Sequence, residues 1–197
     1  EANGATLPPV YQSSAFEQDT AADLEKIFEN KAPGYCYTRV GNPTVTAFEN
    51  RITKLEGGMA SIACASGMAA IMNAILNIVR SGDEIVSSAS LYGGSIDLFR
   101  DIEEFGIKTR YVKNNDWEAI EGAINEHTRL LFAETIGNPC LDVTDVERLA
   151  EIAHAHKIPL ILDNTTATAY LFQGLKHGAD IVVNSSSKYI NGSSNSI

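Results

Sequence analysis

The chain has 197 residues, of which 44% are hydrophobic and 20% are charged, and its formal net charge is −10. This length and composition allow about one globular domain with a substantial hydrophobic core. The negative charge argues against a nucleic-acid partner, because binding to phosphate backbones requires clustered lysine and arginine side chains. No apolar run approaches the ~18 residues of a membrane span, so no membrane partner is predicted.

The three cysteines, Cys36, Cys64 and Cys140, are far apart and contain no C-x-x-C pair. Neither a disulfide framework nor a metal site is therefore predicted, and a reducing cytoplasm is the expected location. The chain starts at Glu1 rather than at a methionine and stops at Ile197. These ends indicate a fragment of a longer protein.

Residues 1–42 are predicted to be rich in loops, because several proline and glycine pairs interrupt them. A helix is predicted to follow, since apolar residues recur at helical spacing at positions 45, 48, 52 and 55. Asn42 is placed to cap this helix, Pro43 suits its first turn, and Gly57 and Gly58 are placed to end it.

From residue 61 onwards, short apolar segments alternate with amphipathic segments. The predicted strands are SIACAS, DEIVSS, KTRYV, RLLFAET, IPLILDN and DIVVNS, and a short helical piece separates the last two. The predicted helices run from about Gly67 to Arg80, Ser95 to Phe105, Trp117 to Glu126 and Asp145 to His156. This alternation predicts an α/β fold in which helices flank a mostly parallel sheet. Ligands of such sheets bind beyond the carboxyl ends of the strands.

Two of the predicted strand ends carry residues that suit a phosphate and a planar ring. Ser66, Gly67 and Met68 open a helix, whose free backbone N–H groups can bind an anion. Ser66 could equally be an ordinary helix cap. Tyr92 is followed by two glycines that would let its ring lie flat on a planar ligand, although a tyrosine in an ordinary turn explains the pattern as well.

Polar residues also follow the next two strands. Asn138 precedes a proline, which favours a turn, but its amide could also donate a hydrogen bond to a ligand oxygen. Asp163 ends a very apolar strand and is followed by Asn164 and Thr165. Because burying a carboxylate is costly unless it is paired, Asp163 is predicted to face a cation, with a helix cap as the alternative.

The last strand is followed by Ser185, Ser187 and Lys188. An unprotonated lysine amine at a partly dry strand end can form a covalent bond with an aldehyde, whereas a solvated loop lysine is the simpler alternative. Together, the strand ends suit one ligand with a planar ring, a phosphate, a cationic ring nitrogen and an aldehyde. Pyridoxal 5′-phosphate (PLP) has all four groups.

Several ordered motifs then extend this prediction along most of the chain. They are YTRVGNPT, LEGG, ASGMAA, LYGG, ETIGNP, LDNT and SSSKYINGSS. In these motifs the chain resembles the Cys/Met-metabolism family of PLP-dependent enzymes of fold type I. The resemblance implies the large cofactor-binding domain of an aspartate aminotransferase-like transferase at residues 43–197, incomplete at its C-terminus and without the small domain.

The resemblance also implies a role for each motif residue. Lys188 would bind the cofactor covalently and later move protons, Asp163 would pair with the ring nitrogen, and Tyr92 would stack on the ring and assist the leaving group. Asn138 would meet the ring hydroxyl. The remaining cofactor contacts would come from Ser66, Gly67, Met68, Thr165, Ser185 and Ser187.

Tyr37 and Arg39, in the first motif, resemble the pair that reaches the phosphate of a neighbouring subunit. This resemblance implies that residues 1–42 contact that subunit, that the active site is shared, and that the protein is a homo-oligomer, a homotetramer built as a dimer of dimers. The family's arginine for the substrate carboxylate would lie outside this chain.

Within the family, ETIGNP, LYGGS and SSNSI are most similar to the O-acetylhomoserine sulfhydrylases. This similarity implies γ-replacement on an O-acyl-homoserine by sulfide or a thiol, in methionine biosynthesis. The alternative is elimination of the kind catalysed by methionine γ-lyases or by cystathionine synthases and lyases. Gly192 is followed by serine where many relatives have histidine, which affects the choice of subclass more than the choice of cofactor.

Three other classes of protein fit the sequence less well. A non-catalytic relative would be expected to lack the lysine or the acid, and Lys188 and Asp163 are both intact. Ser185 and Lys188 form the S-x-x-K spacing of a serine hydrolase, but the S-D-N and K-T-G elements of that class do not occur. Dinucleotide binding is disfavoured because no G-x-G-x-x-G follows a strand.

Overall fold

The computed structural model describes residues 4–196, so the predicted segments 1–42 and 43–197 each have an end outside the described residues. The described chain forms two compact units. The first runs to Lys54 and includes Met59–Ala63, and the second contains Leu55–Gly58 and continues from Cys64.

The first unit contains helix α1 (Ala21–Phe28) and most of helix α2 (Pro43–Glu56). Helix α2 begins where it was predicted, and the Asn42 side chain accepts a hydrogen bond from the N–H of Thr44 at 2.9 Å. Helix α1 was not predicted. Its signal is Thr20, whose hydroxyl oxygen accepts a hydrogen bond from the backbone N–H of Asp23, as N-caps do.

The second unit is built on a five-stranded sheet whose strands are all parallel. The strands are β1 (Glu84–Ser88), β2 (Lys108–Val112), β3 (Thr128–Glu134), β4 (Leu160–Asp163) and β5 (Ile181–Val183), in the spatial order β2-β1-β3-β4-β5. Since the order reverses between β1 and β3, a crevice is expected at the carboxyl ends of the strands. The α/β fold with a parallel sheet is confirmed.

Helices cover both faces of this sheet. They are α3 (Gly67–Ile78), α4 (Gly93–Glu103), α5 (Trp117–Ala123), α6 (Val146–Ala155) and the single turn α7 (Thr168–Leu171), followed by a 3₁₀ segment at Gly174–His177. Helix α6 matches its predicted start and end within one residue, and helix α3 begins at its predicted start. Helix α4 begins two residues before its predicted start. Helices α3, α4 and α5 each end two or three residues before their predicted ends. Such differences are normal at helix ends, which fray.

Alternating side chains of each strand pack on opposite faces. In β3, Leu130 and Phe132 join a cluster with α3 and α4, while Leu131 and Ala133 join a second cluster with α5 and α6. The rings of Phe99 and Phe132 meet edge to face at 5.1 Å between centroids. Strands β3 and β4 are therefore buried on both faces, which explains why their sequences are almost continuously apolar, whereas the edge strand β2 is largely exposed.

The predicted strand SIACAS is wrong. Residues 61–66 form no strand, and Ile62 is 85% exposed. A strand requires a neighbour that supplies ladder hydrogen bonds, and no strand of residues 4–196 pairs with this segment. Within the first unit, the N–H of Ala63 instead donates to the carboxylate of Glu49 at 2.8 Å.

No helix in the described part of the chain is both long enough and apolar enough to cross a membrane.

Candidate active site

A cavity of about 600 Å³ opens beyond the carboxyl ends of β1, β3, β4 and β5 in the second unit. Ten of the predicted site residues line it, namely Ser66, Gly67, Met68, Tyr92, Asn138, Asp163, Thr165, Ser185, Ser187 and Lys188. These residues are up to 122 positions apart in the chain, from Ser66 to Lys188. The fold brings them together because parallel strands present their carboxyl ends at one edge of the sheet.

Lys188 lies in a turn that follows β5. Its backbone N–H donates to the carbonyl of Ser185 at 3.1 Å, and its own carbonyl accepts from the N–H of Gly192 at 2.8 Å. These hydrogen bonds fix the backbone from which the amine extends. The expectation of a partly dry lysine is wrong for this chain, because the side of the cavity formed by Lys188 and Tyr189 is exposed.

Asp163 lies at the end of β4 with its carboxylate at the cavity. Its Oδ1 accepts hydrogen bonds from the backbone N–H of Thr165 at 2.9 Å and from the Thr165 hydroxyl at 2.5 Å. Burial raises the pKa of Asp163, and the two hydrogen bonds from Thr165 oppose that rise only in part. A cation beside the other oxygen would favour the ionised form. The helix-cap alternative does not hold, since α7 begins only at Thr168.

Thr165 also connects β4 to the lysine turn. Its hydroxyl oxygen accepts a hydrogen bond from the N–H of Ser185 at 2.8 Å while its proton is donated to Asp163. The carboxylate and the turn that carries Lys188 are therefore held at a fixed separation. The sequence placed Thr165 at the site but gave no indication of this connection.

The start of helix α3 and the turn after β5 lie against each other and form the candidate anion cradle. The Ser66 hydroxyl oxygen accepts from the N–H of Ala69 at 3.1 Å, so its role as a helix cap is confirmed. The first N–H groups of the helix, at Gly67 and Met68, have no partner within the helix. A Cβ on Gly67 would lie 2.7 Å from the Cβ of Ser185, so only glycine allows this approach.

Tyr92 stands at the start of α4 with its side chain 51% exposed. A Cβ on Gly94 would come within 2.5 Å of the Tyr92 ring, so the second glycine leaves room for the aromatic side chain. The backbone N–H of Tyr92 donates to the carboxylate of Glu134 at 2.6 Å. Glu134 was not predicted as a site residue, although it is the first residue of the motif ETIGNP.

Asn138 lies in an exposed turn after β3, in which the carbonyl of Gly137 accepts a hydrogen bond from Leu141 at 2.8 Å. The turn predicted from Asn138 and Pro139 is confirmed, and Asn138 also lines the cavity. Tyr37 and Arg39 belong to the first unit, where the guanidinium carbon lies 5.4 Å from the centroid of the tyrosine ring. Their contact with a neighbouring subunit stays a prediction.

The residues present fit PLP. The start of helix α3 offers free N–H groups to a phosphate, Asp163 offers a partly buried carboxylate to a ring cation, and Lys188 offers a primary amine to an aldehyde, all at one cavity. The fold and the cavity thus define an α/β protein that holds a phosphate-bearing cofactor at the carboxyl edge of a parallel sheet.

Comparison with known families identifies this class more closely. Residues 1–197 match the family described as Cys/Met metabolism PLP-dependent enzyme. The chain therefore belongs to the family of Cys/Met-metabolism PLP-dependent enzymes, and its cofactor is PLP.

Individual relatives agree with the family. O-acetyl-L-homoserine sulfhydrylase of Corynebacterium glutamicum is 46% identical over 186 residues, which cover 93% of this chain and 43% of that protein. L-methionine gamma-lyase of Fusobacterium nucleatum subsp. nucleatum is 40% identical over 191 residues, which cover 96% of this chain and 48% of that protein. The chain thus spans about half the length of these relatives.

Solved structures show the same similarity. The Campylobacter jejuni protein named as an O-acetylhomoserine (thiol)-lyase, which contains N′-pyridoxyl-lysine-5′-monophosphate, matches with a TM-score of 0.91 and 37% identity. The match covers 95% of this chain and 47% of that one. The metB protein of Corynebacterium glutamicum matches with a TM-score of 0.92 and 37% identity, over 100% of this chain and 50% of the other.

Gly67→Ala is expected to weaken PLP binding at least about tenfold. The new Cβ would lie 3.0 Å from the Cα of Ser185, so the cradle must widen, and overpacking of this kind costs about 1–3 kcal/mol. Titration of the unliganded full-length protein with PLP measures the dissociation constant. Gly122→Ala, where the new Cβ meets nothing within 4 Å, is the matched control and should leave the constant unchanged. If Gly67→Ala and Gly122→Ala bind PLP with equal affinity, the start of helix α3 does not bind the phosphate.

Proposed function

We propose that the protein catalyses γ-replacement on an O-acyl-homoserine, with sulfide or a thiol as the incoming group. The observation that carries this proposal is the single cavity lined by Lys188, Asp163 and Tyr92 beside an anion cradle. It is supported by the relatives named O-acetyl-L-homoserine sulfhydrylase, at 46% and 43% identity, and by the relative named homocysteine synthase, at 39% identity.

The cavity residues divide the binding of PLP among them. Lys188 would hold the aldehyde end covalently, Asp163 the ring nitrogen, Asn138 the ring hydroxyl, and Tyr92 one face of the ring. The phosphate would be held by Gly67 and Met68 through their backbone N–H groups and by Ser185 and Ser187 through their hydroxyls. Ser66 and Thr165 would complete the set of cofactor-binding residues. When bound, PLP supplies an electron sink that stabilises negative charge at the substrate Cα.

The side chains of this chain would then move the protons. Once the substrate amino group has displaced it from the aldehyde carbon, the amine of Lys188 would carry the proton from the substrate Cα to the cofactor. The same amine, free again, would take a proton from Cβ, so that acetate can leave from Cγ. The hydroxyl of Tyr92 would assist at the leaving group. The sulfur of sulfide would add at Cγ, and Lys188 would return the protons to Cβ and Cα, which gives homocysteine and acetate as products.

Assembly and location complete the proposal. The protein would be a homo-oligomer in the cytoplasm, a dimer of dimers in which Tyr37 and Arg39 complete the phosphate site of a neighbouring subunit. Residues 43–197 would form the PLP-binding large domain, and residues 1–42 would make the contact with that neighbour.

The test is acetate release from O-acetylhomoserine by the full-length protein with PLP, in the presence and absence of sulfide. We expect acetate and homocysteine to form in equal amounts and only when sulfide is present. Lys188→Ala protein is the control for uncatalysed release. Acetate formation that does not depend on sulfide or a thiol would contradict the proposal.

Elimination is the second candidate, because relatives named L-methionine gamma-lyase are 40% identical to this chain. An eliminating enzyme would release ammonia and a 2-oxo acid from methionine without any added thiol. The same preparation can be assayed for both products. A higher kcat/KM for methionine than for O-acetylhomoserine plus sulfide would favour this second candidate.

A further inference from the structure

Glu134 is a buried acid at the cavity for which the proposed reaction has no use. It is the last residue of β3, is 6% exposed, and lines the same cavity as Lys188 and Asp163. Burying a carboxyl group is costly unless hydrogen bonds compensate for the lost hydration. The contacts of Glu134 therefore indicate what it does there.

The principal contact of Glu134 is with the backbone of the aromatic residue at the site. Its Oε1 accepts a hydrogen bond from the N–H of Tyr92 at 2.6 Å. Tyr92 is the N-cap residue of α4, and its side chain makes no capping hydrogen bond. Because Tyr92 is 51% exposed, packing contributes little to fixing its side chain. The hydrogen bond to Glu134 fixes the backbone from which the ring extends.

A second hydrogen bond holds the loop after β1, because the Ser90 hydroxyl donates to Oδ1 of Asp142 in the loop after β3. The loop after β1 is therefore held on both sides of Leu91, by Asp142 and by Glu134 at the end of β3. Of these two acids, Glu134 lines the cavity and Asp142 does not. Glu134 is therefore the one that lies among the residues that would surround PLP.

The electrostatic surroundings of Glu134 are predominantly negative. Burial raises the pKa of Glu134 to about 7, and the charges of Asp163 and Asp142 add to that rise. The backbone N–H groups of Tyr92 and Asn138 oppose it. The titratable groups that face Glu134 from the neighbouring elements are Tyr92 on α4, Asp142 after β3, Asp163 on β4, and Lys188 and Tyr189 after β5.

We propose that Glu134 is a positioning residue for PLP: its carboxyl group fixes Tyr92 at the cavity, and its negative charge, when present, opposes binding of the anionic cofactor. The proposal rests on the PLP site of the proposed function but not on the reaction. The carbonyl oxygen of a neutral carboxyl group can still accept from Tyr92, so loss of the proton changes the charge without removing the hydrogen bond.

Two substitutions separate these two effects. Glu134→Gln keeps an acceptor for Tyr92 but is neutral at every pH, and Glu134→Ala removes the acceptor altogether. The ionisation of PLP in solution is the same in every titration at a given pH. A comparison of variant with wild type at the same pH therefore isolates the contribution of Glu134.

The experiment is a titration of the unliganded full-length proteins with PLP at pH 6 and pH 8.5, together with visible circular dichroism of the bound cofactor. At pH 6 we expect Glu134→Gln to bind like wild type. At pH 8.5 we expect it to bind about three- to tenfold more tightly, since one pKa unit of coupling corresponds to a tenfold change. Glu134→Ala, which lacks both the charge and the acceptor, should bind PLP more weakly than Glu134→Gln at both pH values, with reduced circular dichroism of the bound cofactor.

The matched control is Glu126→Gln, which makes the same chemical change on a glutamate whose side chain is 87% exposed. It should match wild type at both pH values. If the PLP affinity of Glu134→Gln relative to wild type is the same at pH 6 and pH 8.5, the charge of Glu134 does not oppose cofactor binding. If Glu134→Ala is folded and its circular dichroism equals that of wild type, Glu134 does not position Tyr92. If Glu134→Ala does not fold, Glu134→Gln at pH 6 tests the positioning effect instead. That variant keeps the acceptor for Tyr92, so circular dichroism weaker than that of wild type would contradict positioning through this hydrogen bond.

Failure of this inference is distinguishable from failure of the proposed function. Binding and circular dichroism are measured without substrate, so they do not depend on which reaction the enzyme catalyses. Wild-type protein that binds PLP but releases no acetate would contradict the proposed function and leave the inference about Glu134 in place.

Discussion

Replacing Lys188 by alanine is expected to abolish covalent attachment of PLP and to lower kcat at least about 10³-fold. Lys188 has the only primary amine among the described residues that line the cavity, and loss of a positioned acid–base group typically costs 10²–10⁴-fold in rate. Borohydride reduction of the PLP-loaded protein, followed by mass mapping of peptides, measures the attachment. In wild type the label should lie on Lys188.

The control for this substitution is Lys54→Ala, which removes an exposed lysine of helix α2. It should keep the label and the rate of wild type. Substantial turnover by Lys188→Ala, or a label that maps to another lysine in wild type, would remove Lys188 from the site. Because the backbone of the lysine turn is held by Ser185 and Gly192 rather than by the side chain, the alanine variant is expected to fold.

Asp163→Asn is expected to lower kcat/KM at least about 100-fold while leaving the fold intact. The asparagine Oδ1 can accept the same two hydrogen bonds from Thr165, so the local geometry is kept and only the charge is lost. Without that charge the ring nitrogen of PLP is no longer held protonated, and the cofactor is a weaker electron sink. Steady-state kinetics of the full-length variant measure the loss.

The stability of the unliganded variant should change in the opposite direction. The pKa of Asp163 is raised in the folded protein, so the wild type gives up stability as the pH rises through that folded pKa. Asparagine carries no charge and avoids this loss. Thermal unfolding at pH 8 should therefore show Asp163→Asn to be as stable as wild type or more stable.

Asp101→Asn is the matched control, because Asp101 is an exposed carboxylate of helix α4 whose side chain is 72% exposed. It should leave both kinetics and unfolding unchanged. Normal turnover by Asp163→Asn would exclude a pairing with the ring nitrogen, whereas a large loss of stability at pH 8 would mean that the carboxylate serves the fold instead.

The sequence was most informative where local patterns repeat. Short strand-like segments alternating with helical patterns predicted six strands of a mostly parallel sheet, and five of them form the sheet. It was least informative at residues 61–66, which are as apolar as a strand. Whether such a segment becomes a strand depends on a hydrogen-bonding neighbour, and the segment's own composition contains no information about that neighbour.

The sequence by itself determined the fold class, the family and the residues that follow each strand, because strand ends and motifs are local features of the chain. Only the tertiary structure showed that Thr165 joins Asp163 to the lysine turn, that Gly67 must be glycine because Ser185 lies against it, and that Glu134 holds Tyr92. These contacts join residues 2 to 118 positions apart. Most of them depend on the register of neighbouring strands, which long-range packing sets rather than local pattern.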